Sequence, residues 1–151
     1  MSKAVVLETL METWNFSNRA FLIYAIAIAA FLPYLPFMAI AVARLQEGYD
    51  SHAPRAMFDK LPPYAQRATW AHQNTFENVG IFVAAALTAY VTGVDSILVR
   101  YAVLAFVSAR IIYPFCYIFD LPIARSFMFA VGNLANVVLF GLAIMQINQA
   151  I

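Results

Sequence analysis

At 151 residues, 64% of them hydrophobic and only 11% charged, the chain is far more apolar than a soluble domain, where about 45–50% and about 25% are usual. A core of this size has no room for so much apolar surface, and the mean hydropathy of +0.75 fits an integral membrane protein instead. The net charge of +1 leaves no nucleic-acid footprint, the single cysteine excludes an internal disulfide or multi-cysteine metal site, and the 5 glycines form no phosphate-cradling cluster.

Residues 1–18 do not read as a signal peptide: after Lys3 only Ala4 to Leu7 is apolar, short of the roughly 7–15 residues required. Val6, Leu7, Leu10, Met11 and Trp14 recur at helical spacing, with Glu8 and Glu12 opposite, which predicts a short helix along the membrane interface. Ser17 or Asn18 is placed to cap the next helix. From residue 20 to residue 43 no charge appears, long enough for a first span, with Pro33 and Pro36 expected to kink it and free backbone carbonyls for neighbouring helices to satisfy. Gly48, Asp50, Ser51, Pro54 and Pro62-Pro63 mark residues 44–63 as a polar loop, and a proline opens the next helix.

The second span is predicted over 64–94, the third over 97–118 after a tight turn at Gly93-Val94-Asp95-Ser96, and the fourth over 124–147 after Leu121-Pro122. The whole chain, 1–151, then forms a single all-α, four-helix membrane domain. Arg44, Arg55, Lys60, Arg67 and Arg125 gather at one end, against Lys3, Arg19 and Arg100 at the other. The positive-inside rule places the 44–63 loop in the cytoplasm and both termini outside or lumenal. A bacterial inner membrane and the endoplasmic reticulum both suit spans of this length.

The second span opens on a stretch costly at membrane depth, Arg67-Ala68-Thr69-Trp70-Ala71-His72-Gln73-Asn74-Thr75-Phe76-Glu77-Asn78. Arg67, Ala71, Asn74 and Asn78 share one helical face with Glu77 at its edge, and Arg110, Tyr113 and Tyr117 form a stripe on the third span. Glu77 and Arg110, on adjacent antiparallel helices, are expected to pair. Two readings of this set stay open: an interhelical ion pair with asparagine glue, including Asn133 and Asn136, or a functional polar site. Tyr113 and Tyr117 equally suit an interfacial aromatic belt. His72 reads as a hydrogen-bonding helix residue, since no second ligand stands at metal spacing, and Cys116 as a small buried side chain.

His72-x-Asn74-x-x-Glu77-Asn78 with Arg67 upstream, then Arg110-x-x-Tyr113-x-x-x-Tyr117, Leu121-Pro122 and Arg125, resembles the MAPEG family, membrane proteins of eicosanoid and glutathione metabolism. The resemblance covers nearly the whole chain. It implies a left-handed four-helix bundle assembled as a homotrimer, glutathione as co-substrate and no metal. It further implies a membrane glutathione transferase or peroxidase that activates the thiolate toward lipophilic electrophiles or lipid hydroperoxides. By the same resemblance Arg67, His72, Asn74, Glu77, Asn78, Arg110, Tyr113 and Tyr117 would bind glutathione, Arg44 would assist from the adjoining chain, and Arg125 would lie at the thiol. Two positions depart from the pattern: Trp70 stands where relatives carry arginine, and Arg125 comes one residue nearer Tyr117 than in the microsomal transferases. The alternatives are a non-catalytic trimer that binds lipid or acts as a scaffold, and a small transporter subunit. Against the latter, the chain has no internal inverted repeat.

Overall fold

A computed structural model describes residues 17–149, and among them all extended regular structure is helical. The first span is a broken helix, α1 (Asn18–Phe31) and α2 (Tyr34–Gln46), joined through Leu32 and Pro33. Ser17 caps α1, its Oγ accepting from the Ala20 N–H at 3.2 Å. Proline carries no N–H, so the expected break falls at Pro33, where the chain continues through short-range bonds from Leu32 N to Ala29 O and Leu35 N to Leu32 O, both 3.1 Å. Pro36 sits in the first turn of α2, where a missing donor costs little. The carbonyls that Pro33 and Pro36 free, Ala29 O and Leu32 O, are satisfied by these short-range bonds rather than by a neighbouring helix, and His72 Nδ1 donates instead to Pro33 O at 2.8 Å.

The other spans are α3 (Pro63–Thr92), α4 (Ile97–Ile118) and α5 (Pro122–Gln149). Their 30, 22 and 28 residues exceed the roughly 20 needed to cross hydrocarbon. The chain is thus a multi-pass membrane protein, with four helical spans among the described residues. Pro63 occupies the first turn of α3, and Gly93, at φ 69°, ends that helix in the left-handed conformation that β-carbons disfavour. The α4 helix runs through Pro114, which sequence periodicity did not flag; membrane helices tolerate such prolines where neighbours shield the backbone. The interfacial helix expected over residues 1–18 lies outside the described residues except for its last two.

Helices approach closely because small side chains line their contacts: Ala65, Ala68, Ala71, Ala85, Ala86 and Ala89 on α3, Ala102 and Ala109 on α4, and Ala135 and Ala143 on α5 are all buried. Phe82 and Phe106 stack face to face at 4.0 Å in the middle of the bundle. Large apolar residues such as Ile28, Phe31, Val91, Leu104 and Val137 point outward, as lipid-facing positions should. At the end opposite the long loop, Asn18 ties α1 to the α3–α4 turn. Its Nδ2 donates to Asp95 Oδ1 (2.9 Å) and Ser96 O (3.1 Å), and its Oδ1 accepts from Arg100 Nε (2.9 Å). The α3 helix touches every other helix, α4 and α5 form the most extensive pair, and the first span meets α5 at most marginally.

Candidate functional site

The polar opening of α3 sends its side chains in two directions. Ala71, Thr75 and Asn78 are buried in the bundle, and Arg67 and Asn74 reach α4 on that side. There Arg110, fully enclosed, donates from NH1 to Asn74 Oδ1 (3.1 Å) and from NH2 to Asn78 Oδ1 (2.9 Å). Its guanidinium carbon also stands 5.0 Å from the Tyr113 ring centroid, 5.6 Å from Phe129 and 5.7 Å from Phe106, within range of cation–π attraction. Its Nε and both polar atoms of the Asn136 amide are buried without a partner among the described residues.

The expected Glu77–Arg110 pair does not form. Glu77 is exposed, and two asparagine carbonyls hold the arginine in its place. The reason is angular: one residue of helix is about 100° of rotation, so Glu77 swings away from the face that Asn78 presents to α4. Arg67 lies further along the same face. Its Nε donates to Tyr117 O (2.9 Å), which also accepts from Asp120 N (3.1 Å), and its NH2 donates to Ile118 O (3.0 Å), so it closes the carbonyl end of α4. Asp120 approaches the same guanidinium at 3.9 Å.

Tyr113 and Tyr117 meet edge to face at 5.2 Å, and the Arg125 guanidinium covers the Tyr117 ring at 4.8 Å. Tyr113 is buried and faces the bundle interior rather than forming an outer aromatic belt. Arg125, Tyr117 and Tyr113 thus form one continuous patch where α4 and α5 meet, at the long-loop end.

The remaining predicted residues face the first span. A groove of about 640 Å³ between α2, α3 and the loop is lined by Arg44, Arg55, His72, Gln73 and Glu77, with Phe37, Phe58 and Phe76 among its apolar walls. That volume is typical of small-molecule sites, roughly 300–1,000 Å³. His72 is fixed there by its bond to Pro33 O and by the Phe37 ring at 5.6 Å. Arg44, Arg55 and Glu77 have no side-chain partner among the described residues, and Arg44 Nε is shielded from solvent as well. A smaller cleft of about 160 Å³, lined by Phe37, Ala41, Leu45 and Tyr49, shares Arg44 with the groove. Spacing gives no signal for Arg55 or Gln73: Arg55 lies in a loop without periodicity, and Gln73 falls off the face that Asn74 and Asn78 share. Trp70 is half-exposed beside the groove, its ring 6.0 Å from that of Phe58.

Within one chain, then, Arg44, His72 and Glu77 lie on the first-span side of the bundle, and Tyr113, Tyr117 and Arg125 on the α5 side. Asn74, Asn78 and Arg110 form a sealed clasp between the two. The sequence model of the MAPEG family matches residues 21–145, from the first span into the last turns of α5. The chain belongs to the MAPEG family. Comparisons with curated proteins and with solved structures give no match. The matched segment contains every residue of both halves. The MAPEG family includes glutathione transferases among other members, and its proteins generally use glutathione.

Proposed function

We propose that this MAPEG protein is a membrane glutathione transferase or peroxidase, acting on lipophilic electrophiles or lipid hydroperoxides. The observation that carries the reading is the groove where Arg44 and Glu77, opposite in charge and each without a side-chain partner among the described residues, face one cavity. Glutathione is a small zwitterion: its carboxylates suit the Arg44 fork, and its ammonium suits Glu77. His72 and Gln73 offer hydrogen bonds between them, and Phe37 and Phe76 supply apolar wall. Asn74, Asn78 and Arg110 hold α3 against α4, with Arg67 closing the end of α4, so these residues support the groove from behind.

Nucleophilic attack needs the thiolate, and a thiol of pKa near about 8.5 is mostly protonated at neutral pH. An arginine beside the sulfur in a low-dielectric site favours the anion. Arg125 is our candidate for that role, with Tyr113 and Tyr117 lining the approach. Since Arg44 and Arg125 stand on opposite sides of one bundle, a complete site requires a neighbouring copy to bring its α4–α5 face against the groove. This is the physical argument for glutathione lying between subunits of a homo-oligomer, which we take to be the trimer common among MAPEG proteins. Placing the long-loop end in the cytoplasm follows from its basic residues.

The test is calorimetric titration of the detergent-purified protein with glutathione, together with ultraviolet thiolate absorbance. Glu77→Ala should weaken binding on the order of tenfold, the loss of one charged contact. Arg125→Ala should keep binding and lose the thiolate signal. No binding by wild type overturns the proposal. A non-catalytic, lipid-binding trimer is the second reading, favoured by the sealing of Arg110, Asn74 and Asn78 into a structural clasp. Glutathione binding without thiolate would support it.

A further inference from the structure

The long loop is folded rather than slack. Gly48, at φ 81°, turns the chain at the end of α2. Asp50 then builds an Asx turn, its Oδ1 accepting from His52 N (2.9 Å) and Ala53 N (3.2 Å). Successive turns follow from Ala56 N to Ala53 O (3.0 Å), Phe58 N to Arg55 O (3.3 Å) and Lys60 N to Met57 O (3.0 Å). Met57 and Leu61 are buried and anchor the loop to the bundle. Arg55 sits in the middle of these turns, so its backbone is held on both sides while its side chain lines the groove.

Three charges without side-chain partners among the described residues converge on that groove: Arg44 from α2, Arg55 from the loop and Glu77 from α3. A solvated loop arginine is ordinarily unremarkable. Here the cation is carried by an ordered turn and stands over a cavity that already holds one cation, Arg44, and one anion, Glu77. The complement of two guanidinium groups and one carboxylate is a ligand with two carboxylates and one ammonium. Phe58, three residues after Arg55 in the same turn, lies against Trp70 of α3 at 6.0 Å. No other aromatic contact ties the loop to α3 among the described residues.

We propose that Arg55 is a second carboxylate-binding residue of the groove, and that Trp70 is a positioning residue that holds it there through Phe58. The assignment rests on the glutathione reading and names a contact that this reading lacked. A bulky indole at position 70 thereby gains a function: it donates no charge to the ligand but fixes a loop that does. Trp70 acts only through Phe58 and the turn, so removing it should release Arg55 without altering Arg44 or Glu77.

The experiment uses the full-length protein in detergent and three probes. These are glutathione, its glycyl ethyl ester, and the analogue whose γ-glutamyl residue is replaced by γ-aminobutyrate, which lacks the α-carboxylate. Wild type should bind each singly deleted analogue on the order of tenfold more weakly than glutathione, one charged contact each. Arg55→Gln should bind glutathione about tenfold more weakly and become insensitive to one of the two deletions while remaining sensitive to the other. Trp70→Leu should reproduce that pattern, Trp70→Phe should restore it, and the Arg55→Gln/Trp70→Leu double variant should be no weaker than Arg55→Gln. Elution volume and helicity check that each variant is folded. If wild type binds glutathione while Arg55→Gln keeps both sensitivities, the Arg55 assignment is wrong and the glutathione reading stands. If wild type binds none of the probes, the glutathione reading falls and this assignment falls with it. Additive losses in the double variant overturn the role of Trp70 alone.

Discussion

Replacing Gly132 by alanine probes the buried clasp more sharply than removing any of its polar members. A β-carbon at residue 132 would stand 2.9 Å from Arg110 NH2, 3.0 Å from its Nε and 3.3 Å from its Cζ. Comfortable contact begins at about 3.5 Å, so the guanidinium must recede by about half an ångström. An exposed arginine would do so freely. Arg110 is fully buried, bonded to Asn74 and Asn78 and flanked by three aromatic rings, so movement breaks what holds it.

Overpacking costs about 1–3 kcal/mol, and one lost charged hydrogen bond about 1.5–3 kcal/mol, offset by about 1 kcal/mol from the better helix propensity of alanine. The net expectation for Gly132→Ala is a loss of about 1.5–5 kcal/mol. Gly141 lies in the same helix with nothing within 4 Å of where a methyl would stand, so Gly141→Ala should be neutral or stabilising by up to about 1 kcal/mol. Denaturation midpoints followed by circular dichroism in one detergent compare the two. Combining Gly132→Ala with Asn78→Ala should cost less than the sum, because both act on one clasp. Equal midpoints for the two glycine variants, or strict additivity with Asn78→Ala, would mean that the added methyl does not act through Arg110.

Arg67→Ala should destabilise by about 1–2 kcal/mol through its lost bonds to the carbonyls of Tyr117 and Ile118, whereas Asp120→Asn, which still suits the left-handed φ of 57° there, should leave the midpoint unchanged, since an exposed 3.9 Å pair contributes little. The same melts read both. His72→Phe keeps a ring beside Phe37 but loses the bond to Pro33 O, at a cost of about 1 kcal/mol, while His72→Gln retains a donor and should lose less. Asn18→Ala severs the tie to Asp95, Ser96 and Arg100, and hydrogen exchange should speed at the 93–96 turn before any change in global stability.

The number of spans and, within a few residues, their ends are legible in the sequence. Long apolar runs, Pro63 and Gly93 are local signals, and a bilayer demands that each run satisfy its own backbone. The break at Pro33 is equally local, because a missing N–H acts wherever the chain goes. Which side chains meet is a tertiary matter. Helical spacing places Glu77 beside Asn74 and Asn78, but only the packing of α3 between two neighbours decides that the asparagines face Arg110 and the acid faces Arg44. Arg67 also closes the end of α4, a contact its sequence position does not announce, because nothing in its spacing encodes where Tyr117 and Ile118 end their helix. Arg55 carries no periodic signal at all. A loop residue is brought to a cavity by hydrogen bonds and buried anchors that act together with distant helices, and those contacts exist only once the bundle has folded.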